Sequence, residues 1–254
     1  LKALSTARTL TAARTNRALT AGAIESAMLG FTFIDGMAFA AFCLSWVAYH
    51  LVMEGGWAEK RTLNRRMDAY RYQWMLRMLE RENRIVDAQI VAALQNGTAF
   101  FASTSLLAIG ASLAILQSTE AVMALFRDLP FGVQNRTSWE LKTLGLTLIF
   151  ANAFFKFAWA YRLFNYSTIL LGSTPPPSEA ATPQAQAHVV KLARMATIAG
   201  RHFNRGQRAF FFAIAYLGWY INGWALMAAT FAIFLVMINR QLGRDSQWVL
   251  DNDG

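Results

Sequence analysis

Residues 81–116 read RENRIVDAQIVAALQNGTAFFASTSLLAIGASLAIL. The stretch opens on a charged decapeptide and closes on 97–116, a run without a single charge. No glycine or proline interrupts it before Gly97. A helix that starts polar and ends apolar over this length is passing from water into lipid. Roughly 20 apolar residues, rising about 1.5 Å each, cross a hydrocarbon core of about 30 Å.

Three more blocks of that kind follow from the same reading. With 88–116 they place spans at about 29–52, 88–116, 141–164 and 209–238. Composition agrees. The 254 residues are 55% hydrophobic and only 15% charged, with mean hydropathy +0.28. A soluble domain carries about 25% charge. The ten-residue alternating segments of a membrane β-barrel are missing. The expected fold is an all-α integral membrane protein, a bundle of four transmembrane helices. The count becomes five if 209–238 is a hairpin, since LGWYINGWAL (217–226) holds the turn signal Asn222-Gly223.

Residues 65–96 read as one long cytoplasmic helix leading into the second span. Met67, Tyr70, Trp74, Met78 and Ile85 recur at three- and four-residue steps, and Glu80 and Arg84 form an i,i+4 pair. Projected at about 100° per residue, Arg77, Glu80, Arg84 and Asp87 share a face that continues as Val91, Gln95, Thr98, Ala102, Ser105, Ile109 and Ser112. Two readings stand. Small and hydroxyl residues let membrane helices approach closely. The same face can also line a polar path, with Arg84, Asp87, Gln95, Thr98, Ser105 and, from the third span, Lys156. Within the spans two ionisable residues stand out, Asp35 and Lys156; they can pair, but each is expected to snorkel to its nearer interface.

The formal charge is +9, yet the basic residues gather between spans. That pattern argues for orientation and anionic lipid rather than nucleic acid. Eight Lys or Arg lie in 53–96, so the loops 53–96 and 165–208 are expected in the cytoplasm. Residues 188–208, HVVKLARMATIAGRHFNRGQR, place Lys191, Arg194, Arg201, Arg205 and Arg208 within an arc of roughly 100°. This is either a membrane-surface element, with His202 beside it as a candidate headgroup contact, or ordinary basic flanking of a span. The linker GSTPPPSEAATPQAQA (172–187) holds four of the five prolines and reads as extended and mobile. A short helix is expected in 117–140, and a polar tail at 241–254.

Residues 1–27 carry Lys2, Arg8, Arg14 and Arg17 and lie outside the expected membrane domain of 28–240. Their composition fits a mitochondrial transit peptide, and equally a read-through leader ahead of Met28, which is the expectation taken here. Cys43 is the single cysteine, so no intrachain disulfide forms. The three histidines have no metal-ligand spacing, and no nucleophile motif or phosphate loop occurs. No cofactor or metal is expected.

RENRIVDAQI running into FFASTSLLAIG, then RDLPF, WELK, FFKFAW with YRLFNY, the PPP linker, and RHFNRGQRAF before LGW resemble, in that order over about 29–240, the bacterial "domain of unknown function 599" family. The resemblance implies a multi-pass protein of a bacterial inner membrane and carries no activity, cofactor or catalytic residue. Three functions remain open. One is a non-enzymatic assembly partner for another membrane protein or for further copies of itself. Another is a small channel or transporter. The last is a binder or modifier of anionic lipids, using 191–208.

Overall fold

A computed structural model describes residues 30–54, 62–126 and 135–243. The leader 1–27 and most of the tail 241–254 therefore lie outside the described residues. Among those described, all regular structure is helical. The helices are α1 (Phe33–Glu54), α2 (Leu63–Leu79), α3 (Ile85–Gln117), α4 (Thr119–Phe126), α5 (Arg136–Gly172), α6 (Pro183–Tyr216) and α7 (Gly223–Leu242). Short 3₁₀ turns occupy Pro177–Glu179 and Leu217–Tyr220. Four helices, α1, α3, α5 and α7, are long and apolar enough to cross a membrane.

The starts are written in the sequence. Thr62, Asn135, Thr182 and Asn222 each cap a helix by accepting a hydrogen bond from the main-chain N–H three residues on. Such a side chain satisfies one of the donors a helix start leaves free. Pro183 then takes the first turn of α6, where its missing N–H costs nothing.

Cross-helix partners fix the directions. Gln95 meets Asn165 and Ser112 meets Thr147, so α3 and α5 are antiparallel. Gly223 abuts Ile34 at one end, and Tyr49 meets Phe234 towards the other, so α1 and α7 run parallel. His188 bonds the carbonyl oxygen of Leu170, and Lys142 bonds that of Trp219, so α6 runs back along α5. The chain therefore travels the bundle five times. One end, called here the Lys142 end, gathers the starts of α1, α5 and α7. The other, the basic end, holds α2 and the overhanging parts of α5 and α6.

The structure corrects three expectations. First, the block 209–238 is not one helix. Residues up to Tyr216 complete α6, and the fourth apolar helix begins only at Gly223. The break has a steric cause and an electrostatic one. A Cβ on Gly218 would sit 2.8 Å from the carbonyl oxygen of Ala225, so only glycine lets α7 fold back this tightly. The carbonyl of Trp219, released from helical bonding, accepts from Lys142 at 2.9 Å.

Second, 65–96 is not a continuous helix. It breaks between Leu79 and Ile85. Asn83 turns its side chain onto the N–H of Ile85, and Arg84 leaves Glu80 to bond across the fold. Tertiary bonds override local helical preference here.

Third, the connection after α5 is short. Residues 173–182 hold a 3₁₀ turn, and 183–187 already belong to α6.

The described interior packs in four clusters, of which two are the largest. Within the bundle, Phe42, Phe212, Tyr216, Trp219 and Leu226 pack together, with Trp46 stacked on Phe212 at 4.9 Å between centroids. Beyond it, at the basic end, Met75, Met78 and Leu79 of α2 bury against Val189, Leu192 and Ala196 of α6. Helix α3 leans chiefly on α5 through Val91, Thr98, Ser105 and Ser112, a buried stripe at seven-residue spacing. That spacing keeps one face turned to a neighbour over several turns.

Candidate functional site

Helix α1 has acidic residues at both of its ends, and each is answered by a cation. At its start, Asp35 is buried, accepting from the indole N–H of Trp219 at 2.7 Å and lying 3.6 Å from the Lys142 ammonium. The hydroxyl and the N–H of Thr32 add two further bonds. Asp35 thus pairs with Lys142, not Lys156.

At its end, Glu54 accepts from Arg205 (2.8 Å to Nε) and from Arg208 (2.9 Å). Arg208 is 8% exposed and lies over the Tyr49 ring. Arg205 puts Nε and Nη2 on one carboxylate oxygen and Arg208 puts Nη2 on the other, and such charge-assisted bonds are the strong ones.

Around Glu54 opens a cleft of about 260 Å³, walled by the end of α1, the start of α2, the middle of α6 and the end of α7. Five arginines line it: Arg65, Arg201, Arg205, Arg208 and Arg240. Two carboxylates, Glu54 and Asp68, stand against them. Asp68 accepts from Arg71 at 2.7 Å and from Arg201 at 3.0 Å. Arg240 lies over the Phe211 ring. Arg65 is exposed at the rim. Asn64, Asn204, Gln207 and Gln241 add neutral amides. An excess of three positive charges in a partly enclosed space, among fork-shaped donors and amides, suits an anion with several oxygens.

The basic arc expected over 188–208 therefore divides. Arg201, Arg205 and Arg208 turn into the cleft. Lys191 and Arg194 stay exposed on the overhang and form no ion pair among the described residues. His202 faces α5, edge-on to Trp159 at 6.5 Å between ring centroids, with its Nδ1 buried and unpartnered. Burial, then the nearby charges of Arg205 and Lys156, hold its imidazole below the ordinary histidine range.

The polar face of residues 84–112 lies along the α3/α5 seam. Arg84 donates to the carbonyl oxygens of Thr174 (2.7 Å) and Pro175 (2.5 Å). Asp87, fully buried, accepts from Trp74 and Arg81, both at 2.7 Å. Gln95 donates to Asn165 at 2.6 Å. The hydroxyls of Thr98 and Ser105 bond carbonyls one turn back in their own helix. Each of these side chains thus has a partner within the bundle. Lys156 is elsewhere, on the α5 face that carries Trp159, and has no hydrogen bond or ion pair among the described residues.

Sequence reasoning missed Glu54, Asp68, Arg65 and Arg240. Scarcity was the available signal. In a chain with 15 acids against 24 basic residues, a carboxylate at the end of a span marks where a cation must come.

Among curated proteins and among solved structures nothing matches the chain. A family model does, over residues 37–246, from within α1 to just past α7. The family is described as a protein of unknown function, DUF599. The match takes in the arginine cleft, the α3/α5 seam and Lys142 though not Asp35, and on that extent the chain belongs to the DUF599 family.

Proposed function

We propose that this protein is a multi-pass membrane protein that binds anionic lipid headgroups in the arginine cleft at its basic end. The observation that carries the reading is the convergence of five arginines and two carboxylates on one opening of about 260 Å³. The opening lies where α1 and α7 end, the level at which an apolar span meets headgroups. The excess of Lys and Arg at this end supports its facing the cytoplasmic leaflet, whose surface is anionic. The inner membrane of a bacterium is the setting the reading assumes. The reading is one of binding: the charged groups described around the cleft hold and neutralise charge.

This reading is favoured over a path along α3 because the side chains of that face are already engaged with α5 or with their own helix. It is favoured over an assembly role because the lining of the cleft points to one ligand chemistry.

The test is native mass spectrometry of the purified protein with equal amounts of phosphatidylglycerol and phosphatidylcholine. Selective retention of phosphatidylglycerol is expected. Arg65→Gln with Arg201→Gln should reduce it by about tenfold or more, since a charge-assisted hydrogen bond contributes about 1.5–3 kcal/mol. Equal retention of the two lipids, or retention unchanged in the double variant, would overturn the proposal.

A further inference from the structure

The cations of the bundle are not treated alike. Lys142 faces Asp35, Arg201 faces Asp68, and Arg205 and Arg208 share Glu54. Lys156 has no carboxylate among the described residues, although it lies inside the apolar helix α5. It is 14 residues along that helix from Lys142, so about 21 Å below the Lys142 end. A charged side chain at such depth normally finds a partner, water or a headgroup.

Its surroundings narrow the choice. Trp159 is three residues on and therefore on the same face of α5. Trp159 packs edge-on to His202 of α6. Lys156 and His202 are thus brought to one notch between the two helices. His202 turns roughly a quarter of the way round α6 from the row of cleft arginines. Its Nδ1 is enclosed, leaving Nε2 as the ring nitrogen that can reach a ligand. The charges that bear on its ring are Arg205 and Lys156, both disfavouring a proton, and Glu54, favouring one. The field in the notch is net positive. On the outer side, Phe155 is 69% exposed and Trp159 is 47% exposed, an apolar and aromatic flank suited to an acyl chain and to the headgroup boundary.

We propose that Lys156 and His202 form a second anion site, which takes the phosphate of a membrane lipid of net negative charge lying against Phe155 and Trp159. Lysine supplies a point charge for phosphate oxygens, and the imidazole supplies one directed N–H. Neither Lys156 nor His202 lines the arginine cleft, so loss of one site leaves the other testable. A bound phosphate adds the negative charge that the notch lacks, so its arrival is legible in the titration of His202.

The experiment uses the purified protein in detergent with ¹⁵N-labelled histidine, the His202 signal being identified by its loss in His202→Gln. Its pH titration is recorded with phosphatidylglycerol, with phosphatidylcholine, and with inorganic phosphate at the same phosphate concentration. Phosphatidylglycerol should raise the midpoint by on the order of half a unit or more, and phosphatidylcholine should not. The rise should vanish in Lys156→Gln and persist in Lys156→Arg. A rise with the lipid but not with inorganic phosphate supports a lipid phosphodiester. An equal rise with inorganic phosphate supports the phosphate site but overturns its assignment to lipid. No movement with either, an equal movement with phosphatidylcholine, or a rise that survives in folded Lys156→Gln overturns the proposal. Should Lys156→Gln fail to fold, the wild-type titrations decide alone.

Discussion

The ammonium of Lys142 donates to the main-chain oxygen of Trp219 at 2.9 Å, while the indole of the same tryptophan donates to Asp35, the counter-charge of that lysine. One residue in a helix break thus receives from the cation with its backbone and gives to the anion with its side chain. The triangle joins α1, α5 and the turn into α7.

Lys142→Met should therefore destabilise strongly. It leaves Asp35 buried without its cation and the Trp219 carbonyl without its donor. Breaking a buried pair from one side costs about 3–5 kcal/mol. Thermal unfolding in detergent reads the loss, and Asp35→Asn added to Lys142→Met should recover part of it, since the uncompensated charge is then gone.

Glu54→Gln should separate stability from binding. The carboxylate now takes Nε and Nη2 of Arg205 and one nitrogen, Nη2, of Arg208. Its removal should cost about 1–3 kcal/mol of stability. It should also free a donor for an incoming anion and tighten retention of phosphatidylglycerol by up to about tenfold. A variant both less stable and less able to hold the lipid would count against the cleft as a binding site.

Trp74→Phe should loosen α2 without unfolding the bundle. The indole bond to buried Asp87 is a tie between α2 and α3 across the 80–84 break. A hydrogen bond to a charged group contributes about 1.5–3 kcal/mol. Amide exchange should quicken over 63–79 and stay slow in α5.

Gly206→Val should disturb the α5/α6 contact. A Cβ there would lie 2.7 Å from the Phe157 ring, and that ring is fully buried against Phe101 and Phe203. Overpacking of this kind costs about 1–3 kcal/mol, and a lowered melting temperature with unchanged helical circular dichroism is the expected signature.

His202 gives a pH dependence of definite sign. Its folded pKa lies below the ordinary 6.5. The unfolded chain then binds the proton more readily, so stability is full above about pH 6.5 and declines as pH falls through the folded value. Melting curves of His202→Gln should show a weaker fall between pH 7 and pH 5 than wild type.

The sequence made the apolar spans legible because hydropathy needs only composition along the chain. The caps at Thr62, Asn135, Thr182 and Asn222 are local too, but only Asn222 was singled out from the sequence, and as a turn. Hidden were features set by distant partners. Arg84 sits i,i+4 from Glu80, a standard helical pairing, yet its guanidinium is held by carbonyls about ninety residues away. No window of sequence contains that information. The fold-back after Tyr216 was half visible: Asn222-Gly223 announced a turn, but the demand on Gly218 exists only once α7 lies against it. For the cleft, Arg201, Arg205 and Arg208 declared themselves as a basic arc. Their carboxylates did not, because Glu54 and Asp68 are brought to them by chain reversal.

The clamps at the two ends of α1 have a consequence for how such a span is located. An apolar rod in lipid can slide or rotate by a residue at little cost, since one hydrocarbon contact resembles the next. Asp35 and Glu54 lie 19 positions apart, about 28 Å along the axis. A shift by one residue turns both carboxylates about 100° from their cations at once. A shift by a whole turn restores the heading but misses both by about 5 Å. The span is thus indexed like a scale read at two marks. Its position against α5 and α6 is a single discrete setting, and the wall that α1 gives the cleft is held by the same two marks.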